Sequence, residues 1–402
     1  MVLSGEYFPD PQTRAWVEID PVALAHNTRQ ICNYLGAPTE LLAVIKADAY
    51  GHGAVAVAEI VLAHGAKWLG VATLGEAIQL RRAGIEAPIL LLGGVNTAAQ
   101  VQALLYWRVE PTLATWEQVE LFAQVAQNEG QTLPVHLDID TGMSRLGVPW
   151  QEAIAVIKAV QNLPALHLAS IYSHLATADD PDPYFVYRQQ QRFHQVIQEL
   201  HRLNLPLPKM HLANSAGMLL DRHLHYDRVR VGLALYGYAP APHLEGILPL
   251  QPVLQVRARI TQIKDIAPGT GVSYGQRFVA ERPMRLATVG IGYADGVPRG
   301  LSNRMTALVA GQRVPQVGMI TMDQLMLDVT QVPQVQVGQV VTLLGQEGSH
   351  WITAQDWARE LNTITWEILC GFKHRLPRVL KQLPEHLKGS GSNRVFTFEQ
   401  SH

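Results

Sequence analysis

The stretch LLAVIKADAYGHG, Leu41–Gly53, places a lysine directly after five apolar residues. An apolar run of this length predicts a buried strand, with Lys46 at its carboxyl end. Burial disfavours an ammonium ion and favours the neutral amine, a nucleophile that can bond covalently to an aldehyde. A lysine whose tip reaches water from the strand end is the other interpretation. This stretch alone does not separate the two.

Short apolar runs alternate with amphipathic helical segments up to about residue 240. The predicted strands are Leu41–Ala47, Trp68–Thr73, Pro88–Gly94, Val109–Thr115, Pro134–Asp140, Leu166–His174, Met210–Ser215 and Arg228–Gly237. Several are almost continuously apolar, which is typical of strands covered on both faces. This succession of strand–helix units predicts an α/β fold with a (β/α)8 TIM-type barrel over residues 14–245. A doubly wound open sheet is the alternative.

The pattern changes after the predicted barrel. Apolar and polar residues alternate over Val256–Thr261, as in a half-exposed strand, and similar segments follow. We therefore expect a second, mostly β domain over residues 246–388. Residues 1–20 are candidates to join it, because their last positions alternate in the same way. Residues 389–402 begin with GSGS and are expected to form a flexible tail.

The composition is that of a well-packed globular chain. Hydrophobic residues make up 48% of the 402 residues and charged residues 16%, which excludes a disordered polymer. A formal net charge of −2 gives no general attraction to nucleic acid or to an anionic membrane. Cys32 and Cys370 indicate neither a disulfide framework nor a zinc site. With no signal-peptide pattern and no apolar run long enough to span a bilayer, we expect a cytoplasmic protein.

Polar residues fall at the carboxyl ends of the predicted strands, where barrel enzymes place their functional groups. In chain order these residues are Lys46, Tyr50, Asp138, Asp140, Arg145, His174, His211, Asn214, Ser215 and Arg230. A serine hydroxyl, a tyrosine hydroxyl and the backbone amides around Gly232 suit a phosphate group. Together these positions predict a binding pocket at one rim of the barrel.

Several motifs, in this order, resemble those of the alanine racemases. They are AVIKADAYGHG (Ala43–Gly53), DTGMSRLG (Asp140–Gly147), HLANSAG (His211–Gly217), VRVGLALYG (Val229–Gly237), VSYG (Val272–Gly275), IGYADG (Ile291–Gly296) and TMDQ (Thr321–Gln324). The resemblance extends from about Trp16 to about Arg378. It implies a barrel plus a β domain, a pyridoxal 5'-phosphate (PLP) cofactor, an amino-acid substrate and a homodimer with shared active sites.

The resemblance also implies roles for individual residues. Lys46 would bind PLP covalently and act as one catalytic base, and Tyr274 would be the second base, supplied by the partner subunit. The other implied cofactor contacts are Tyr50, Asn214, Ser215, Gly232, Leu233 and His374 toward the phosphate region, Arg145 at the phenolic oxygen, Arg230 at the ring nitrogen, and His174. Arg145 and Met322 would bind the substrate. The implied supporting residues are Asp138, His211 and Asp323.

The chemistry of racemisation agrees with these roles. A proton leaves one face of a carbon and returns to the other, so a base on each face is needed. Arginine can only donate hydrogen bonds. A ring nitrogen facing Arg230 therefore stays unprotonated, which weakens its electron withdrawal and favours return of the proton over transamination or decarboxylation. Taken singly, Tyr274 is also compatible with an ordinary strand-end tyrosine, and His174 and His211 with core histidines.

Three positions depart from the family pattern. Asp138 stands where many members carry a carbamylated lysine that bonds the motif arginine, here Arg145. Because an aspartate needs no carbon dioxide, we expect activity independent of bicarbonate, with a water or an anion filling the gap that the shorter side chain leaves. His374 replaces a usual tyrosine, and Met319 an arginine of the substrate corridor. These departures leave serine or a basic amino acid open as alternative substrates.

Three other functions remain to be separated. A barrel-type PLP decarboxylase would release carbon dioxide, and Arg230 argues against it. A non-catalytic PLP carrier would be indifferent to the loss of Tyr274. An unrelated barrel enzyme that uses Lys46 with a sugar phosphate would lack the absorption spectrum of bound PLP. Supply of the cell wall and breakdown of D-amino acids are both compatible with the sequence.

Overall fold

The computed structural model describes residue 12 and residues 14–381, so the predicted tail, residues 389–402, lies outside the described part. The chain forms two compact units. A barrel unit contains Ala23–Ala49 and Gly53–Gln251, and a β unit contains the described residues up to Val22, Tyr50–His52 and the chain from Pro252 onward. The first strand, β1 (Ala15–Ile19), belongs to the β unit.

The barrel unit contains one sheet of parallel strands. Its strands are β2 (Glu40–Val44), β3 (Trp68–Val71), β4 (Ile89–Leu91), β5 (Glu110–Leu113), β6 (Leu133–Asp140), β7 (Val148–Pro149), β8 (Leu166–Tyr172), β9 (Lys209–His211) and β10 (Arg228–Val231). Their order is β10-β2-β3-β4-β5-β6-β8-β9, with the short β7 added to β6. The Arg230 amide donates to the Ala213 carbonyl at 3.0 Å, which brings β10 back beside β9. The barrel is therefore nearly closed: its prediction is confirmed and the open sheet is wrong.

Helices alternate with the strands of the barrel, and the last two helices of the described chain belong to the β unit. In chain order they are α1 (Pro21–Leu35), α2 (Lys46–Gly51), α3 (Ala54–Ala63), α4 (Leu74–Arg82), α5 (Ala98–Trp107), α6 (Trp116–Asn128), α7 (Ala153–Gln161), α8 (Tyr184–Arg202), α9 (Ser215–Leu220), α10 (Ala354–Leu361) and α11 (Thr365–Gly371). Thr73, Thr97 and Thr115 cap the starts of α4, α5 and α6. Each threonine side chain accepts a hydrogen bond from the backbone amide three residues later in the chain. None of the helices in the described residues is long and apolar enough to cross a membrane.

The β unit is organised around one long strand. Its further strands are β11 (Leu254–Ile266), β12 (Gly271–Val272), β13 (Phe278–Val279), β14 (Met284–Val289), β15 (Thr306–Val309), β16 (Gln312–Pro315), β17 (Leu325–Asp328), β18 (Val340–Glu347), β19 (His350–Ile352) and β20 (Arg378–Leu380). β11 pairs antiparallel with β1, β14 and β18. The mostly β second domain is therefore confirmed.

Candidate active site

The segment after β2, helix α2, is a single left-handed turn, and Lys46 begins it. The φ angles of Ala47, Asp48 and Ala49 are 53°, and that of Tyr50 is 55°. A left-handed conformation costs about 1–2 kcal/mol for each residue other than glycine, so this turn needs support. The Glu76 side chain gives part of it, because its Oε1 accepts from the Ala47 amide at 2.7 Å. Backbone strain of this kind is typical of functional sites.

The end of the turn is fixed within the β unit. A Cβ atom on Gly51, whose φ is 82°, would lie 2.7 Å from the Leu369 carbonyl oxygen, so only glycine fits. The Gly51 carbonyl also accepts from Nε of Arg378 at 3.0 Å. The neighbouring Tyr50 is buried, and burial raises the pKa of its hydroxyl above the ordinary value. That hydroxyl therefore remains protonated and able to donate.

Three cations surround the half-buried imidazole of His174. Burial lowers the pKa of His174 well below its ordinary value, and the positive charges of Arg230, Arg145 and Lys46 lower it further. His174 is therefore neutral at physiological pH. The structure thus brings the predicted lysine and both predicted arginines to one region of the barrel unit.

Arg230 is held by acceptors on nearly every side of its buried guanidinium. Nη1 donates to Nδ1 of His211 at 2.8 Å and to the His211 carbonyl at 3.2 Å. Nη2 donates to the carbonyls of Ser173 at 2.6 Å and Leu212 at 3.1 Å, and to Nδ1 of His174 at 3.3 Å. Among the described residues, no acceptor bonds Nε. Burial lowers the pKa of Arg230 to about 10, and Tyr172 opposes this change. The guanidinium is therefore charged near neutral pH, with one donor left for a ligand.

The predicted phosphate residues gather where β9 and β10 end. Ser215 Oγ accepts from the amides of Gly232 at 3.0 Å and Ala234 at 3.5 Å. The Asn214 side chain begins α9 by accepting from the Gly217 amide at 2.9 Å. Leu233 follows Gly232 as the first residue of a 3-10 turn, Leu233–Tyr236. This corner therefore offers a hydroxyl and backbone amides, which are groups that bind phosphate.

Asp138 is buried close to Arg145 but does not bond to it. Burial raises the pKa of the Asp138 carboxyl to about 6, although Arg230 and Arg145 both act to lower it. No hydrogen bond or ion pair joins Asp138 to Arg145 in the described part of the chain. A cavity of about 10 Å³ lies beside both residues, with His174 and Ser173 on its wall. Its volume is about that needed for one water molecule.

In the β unit, Tyr274 stands on a strained and exposed turn. Its side chain is 73% exposed, and its neighbours Ser273 and Gly275 have φ angles of 65° and 68°. A surface concavity of about 730 Å³ lies beside it, and its wall includes Thr321 and Gln324. An exposed aromatic ring on a left-handed turn is a candidate for contact with another molecule.

The other predicted residues of the β unit differ in exposure. Met322 is 52% exposed and His374 is also exposed, so both are accessible to a ligand. Asp323 forms an ion pair with Arg375. Met319, expected to line the substrate corridor, is only 8% exposed, and its carbonyl accepts from Ser273 Oγ at 2.7 Å. Its backbone therefore supports the turn that carries Tyr274.

Sequence patterns missed two contributors to this site. Glu76 was not predicted, because a glutamate that caps a helix has the same local sequence pattern whether or not it also bonds a second segment, here the turn at Ala47. Tyr172 was also missed: its ring stacks on His211 at 4.8 Å and lies 4.9 Å from the Arg230 guanidinium carbon. An aromatic residue in an apolar strand carries no signal that sets it apart from the core.

Two protein-family models together match most of the chain. The model of the alanine racemase N-terminal domain matches residues 19–240, and that of the C-terminal domain matches residues 253–380. The chain belongs to the alanine racemase family. An alanine racemase of Synechocystis sp. is 59% identical over 91% of this chain and 99% of the relative. One of Nostoc sp. is 56% identical over 91% and 95%.

Solved structures of the family share the whole architecture. The alanine racemase of Bacillus anthracis with bound L-Ala-P superposes with a TM-score of 0.86 at 35% identity, covering 93% of this chain and 96% of that one. The Bartonella henselae enzyme with covalently bound pyridoxal phosphate gives 0.82 at 34% identity, covering 92% and 99%. The activity of the chain is therefore alanine racemisation, an isomerase reaction, and the family depends on PLP.

Proposed function

We propose that the chain interconverts L-alanine and D-alanine with PLP bound covalently to Lys46, and that Lys46 and Tyr274 of the partner subunit are the two bases. The observation that carries this proposal is the free Nε donor of Arg230. The acceptors around Arg230 bond its Nη atoms and leave Nε without an acceptor among the described residues. A free donor on a buried side chain suits the ring nitrogen of PLP.

The other groups needed for PLP would come from the remaining predicted residues. Ser215, the amides of Gly232 and Leu233, and the hydroxyl of Tyr50 would bind the phosphate, with Asn214 and His374 near it. Arg145 would donate to the phenolic oxygen of PLP and, with the Met322 amide, to the substrate carboxylate. His174, His211, Asp138 and Asp323 would orient these groups. Covalently bound PLP in the related Bartonella henselae structure supports this assignment.

Each base would act on one face of the substrate. PLP supplies an electron-withdrawing ring that acidifies the Cα hydrogen of the amino acid. The amine of Lys46 would take or return the proton on one face of Cα, and the phenol of Tyr274 of the partner subunit on the other. Arg230 would hold the ring nitrogen unprotonated, because a charged guanidinium can only donate to it.

The exposure of Tyr274 supports a dimer with shared active sites. A base that is 73% exposed in its own chain needs a second molecule to exclude water from the reaction. We propose an isologous homodimer in which the concavity beside Tyr274 faces the barrel of the partner. Dilution below the dimerisation constant should then abolish activity. A monomer with full activity would overturn this part of the proposal.

Trapping of the bound cofactor tests the central assignment. Purified protein should show the visible absorption of protein-bound PLP, and borohydride reduction followed by peptide mapping should label Lys46. The variant Lys46→Ala should lose the label and racemisation, while the exposed Lys67 provides a matched control, Lys67→Ala, that should keep both. A label on another lysine, or none, would overturn the proposal.

The substrate range needs its own test, because Met319 and His374 depart from the family pattern. L-alanine, L-serine and L-lysine should be compared by kcat/KM, and we expect alanine to be preferred. Release of carbon dioxide would instead indicate a decarboxylase. Retention of every property in Tyr274→Phe would indicate a PLP carrier.

A further inference from the structure

A continuous chain of hydrogen bonds crosses the barrel interior from Arg230 to Glu110. Its successive bonds are Arg230 Nη1 to His211 Nδ1 (2.8 Å), His211 Nε2 to Ser170 Oγ (2.8 Å), Ser170 Oγ to His136 Nδ1 (2.6 Å), and His136 Nε2 to Glu110 Oε2 (2.8 Å). The chain links strands β5, β6, β8, β9 and β10. We call these five residues the barrel relay.

The two ends of the barrel relay set one direction for every bond. A guanidinium can only donate, so His211 Nδ1 accepts and its proton lies on Nε2. A carboxylate can only accept, so His136 carries its proton on Nε2 and its Nδ1 accepts. The Ser170 hydroxyl therefore accepts from His211 and donates to His136. One tautomer of each histidine, with the proton on Nε2, therefore accounts for every bond in the relay.

Burial keeps both imidazoles in the neutral form that this direction requires. His136, Ser170 and His211 are all 0% exposed. Burial lowers the pKa of His136, although Glu110 acts to raise it, and lowers the pKa of His211 well below its ordinary value. A positive His211 would place an N–H against the donors of Arg230, so neutrality and the Arg230 contact depend on each other.

Glu110 lies at the end of its strand away from the functional rim, so it does not act on a substrate directly. It is the first residue of β5, at the end of the strand opposite to that where functional groups of a barrel gather. Its side chain is 20% exposed, so it is in contact with solvent at that end of the barrel. The barrel relay thus joins a buried cation at one end of the barrel to an anion at the other.

We propose that Glu110, His136 and Ser170 are positioning residues for Arg230. They fix His211 as an acceptor, and His211 in turn fixes the angle at which Arg230 Nε meets the ring nitrogen of PLP. This inference rests on the proposed function of Arg230. If the angle loosens, proton return to Cα becomes less selective. More turnovers would then end in transamination, in which the amino group of alanine passes to PLP and pyruvate is released.

The ratio of pyruvate released to alanine racemised tests the proposal, because it does not depend on how much enzyme is folded. In Ser170→Ala we expect this ratio to rise severalfold and kcat to fall about tenfold, with KM nearly unchanged. Ser170→Thr keeps the hydroxyl and should restore both values. Thr28→Val removes another fully buried hydroxyl, which donates to the Leu24 carbonyl outside the relay, and should change neither.

Glu110→Gln separates charge from hydrogen bonding. Glutamine still offers an acceptor to His136 but removes the anion, so the pyruvate ratio should rise less than in Ser170→Ala. Because this side chain is partly exposed, the variant should fold even if Ser170→Ala does not. An unchanged pyruvate ratio in both Ser170→Ala and Glu110→Gln would overturn the proposal.

A measurement on the PLP-free chain tests the relay independently of the proposed function. Long-range proton–nitrogen NMR spectra of 15N-histidine protein distinguish the two neutral tautomers from the cation. His136 and His211, assigned by loss of signal in His136→Gln and His211→Gln, should both be neutral with the proton on Nε2. The Nδ1 tautomer or a cation at either residue would refute the relay. Absence of PLP binding with the expected tautomers present would instead refute the proposed function.

Discussion

Nη1 of Arg230 lies 2.8 Å from Nδ1 of His211, and both side chains are buried. A lysine at position 230 has a shorter reach and no planar fork, so it would leave several of these acceptors without a donor. We predict that Arg230→Lys lowers kcat about 100-fold and the free energy of unfolding by about 2 kcal/mol. Racemase kinetics and urea titration measure the two effects.

The control for this change is Arg202→Lys on the exposed face of α8. The Arg202 side chain is 67% exposed and pairs with Glu199, so this substitution should alter stability by less than about 0.5 kcal/mol. An Arg230→Lys variant as stable and active as Arg202→Lys would show that the acceptors around residue 230 do not require a guanidinium.

Tyr274 should be needed for catalysis and dispensable for folding. We predict that Tyr274→Phe lowers racemisation by about 100-fold or more, since it would remove one of the two proposed bases. One alanine enantiomer should still exchange its Cα hydrogen with D2O, because Lys46 remains. Tyr106, which is 77% exposed, supplies the control Tyr106→Phe. Equal activity of the two variants would exclude Tyr274 as a base.

Asp138 should make stability depend on pH. Burial raises the pKa of its carboxyl from 3.8 to about 6, so the folded chain binds this proton more tightly than the unfolded chain. The carboxyl therefore lowers the free energy of unfolding as pH rises from about 4 to about 6, by up to about 3 kcal/mol. Asp138→Asn should remove this decrease, measured by urea titration at pH 4 and pH 7. The exposed Asp265 gives the control Asp265→Asn, which should keep it.

Activity should not depend on dissolved carbon dioxide. The carboxyl of Asp138 is part of the chain, so no carbamate has to form beside Arg145. We predict equal kcat/KM in carbon-dioxide-free buffer and in buffer with added bicarbonate at the same pH. A clear increase on adding bicarbonate would show that another group near Arg145 is modified.

Gly51 should tolerate no side chain. Gly51→Ala combines a φ of 82° with a Cβ atom 2.7 Å from a carbonyl oxygen, and we predict a loss of about 3 kcal/mol or more in unfolding free energy. Gly36→Ala is the matched control, because its φ is 67° and a Cβ there meets nothing within 4 Å. It should cost about 1–2 kcal/mol. Similar losses in the two variants would mean that the contact at Gly51 relaxes freely.

The sequence was sufficient to predict the architecture, because each buried parallel strand is recognisable as a short run of apolar residues. It placed the first strand up to Ala47, whereas β2 ends at Val44. The left-handed turn explains the difference: alanine is disfavoured in that conformation and aspartate adopts it only occasionally, and the supporting Glu76 lies 29 residues away. A pattern read over a short stretch of sequence cannot reveal a contact between residues so far apart in the chain.

The barrel relay escaped prediction for a related reason. Its members come from separate strands, and their contact depends on the register that pairs His136 with Ser170. A single histidine or serine in an apolar strand has the same pattern whether it faces the barrel interior or a helix. The motif resemblance identified Arg230 and His211, but not the other three members of the relay, Ser170, His136 and Glu110.

The acceptors around Arg230 also constrain how this protein can evolve. A carboxylate at position 230, as other PLP chemistries would need, would face three carbonyl oxygens and two imidazole lone pairs rather than donors. Three of those acceptors are main-chain atoms, which no substitution can convert. A carboxylate introduced at position 230 alone would therefore leave these carbonyl oxygens without donors, so a change of reaction at this site would need accompanying changes in the residues and backbone around it.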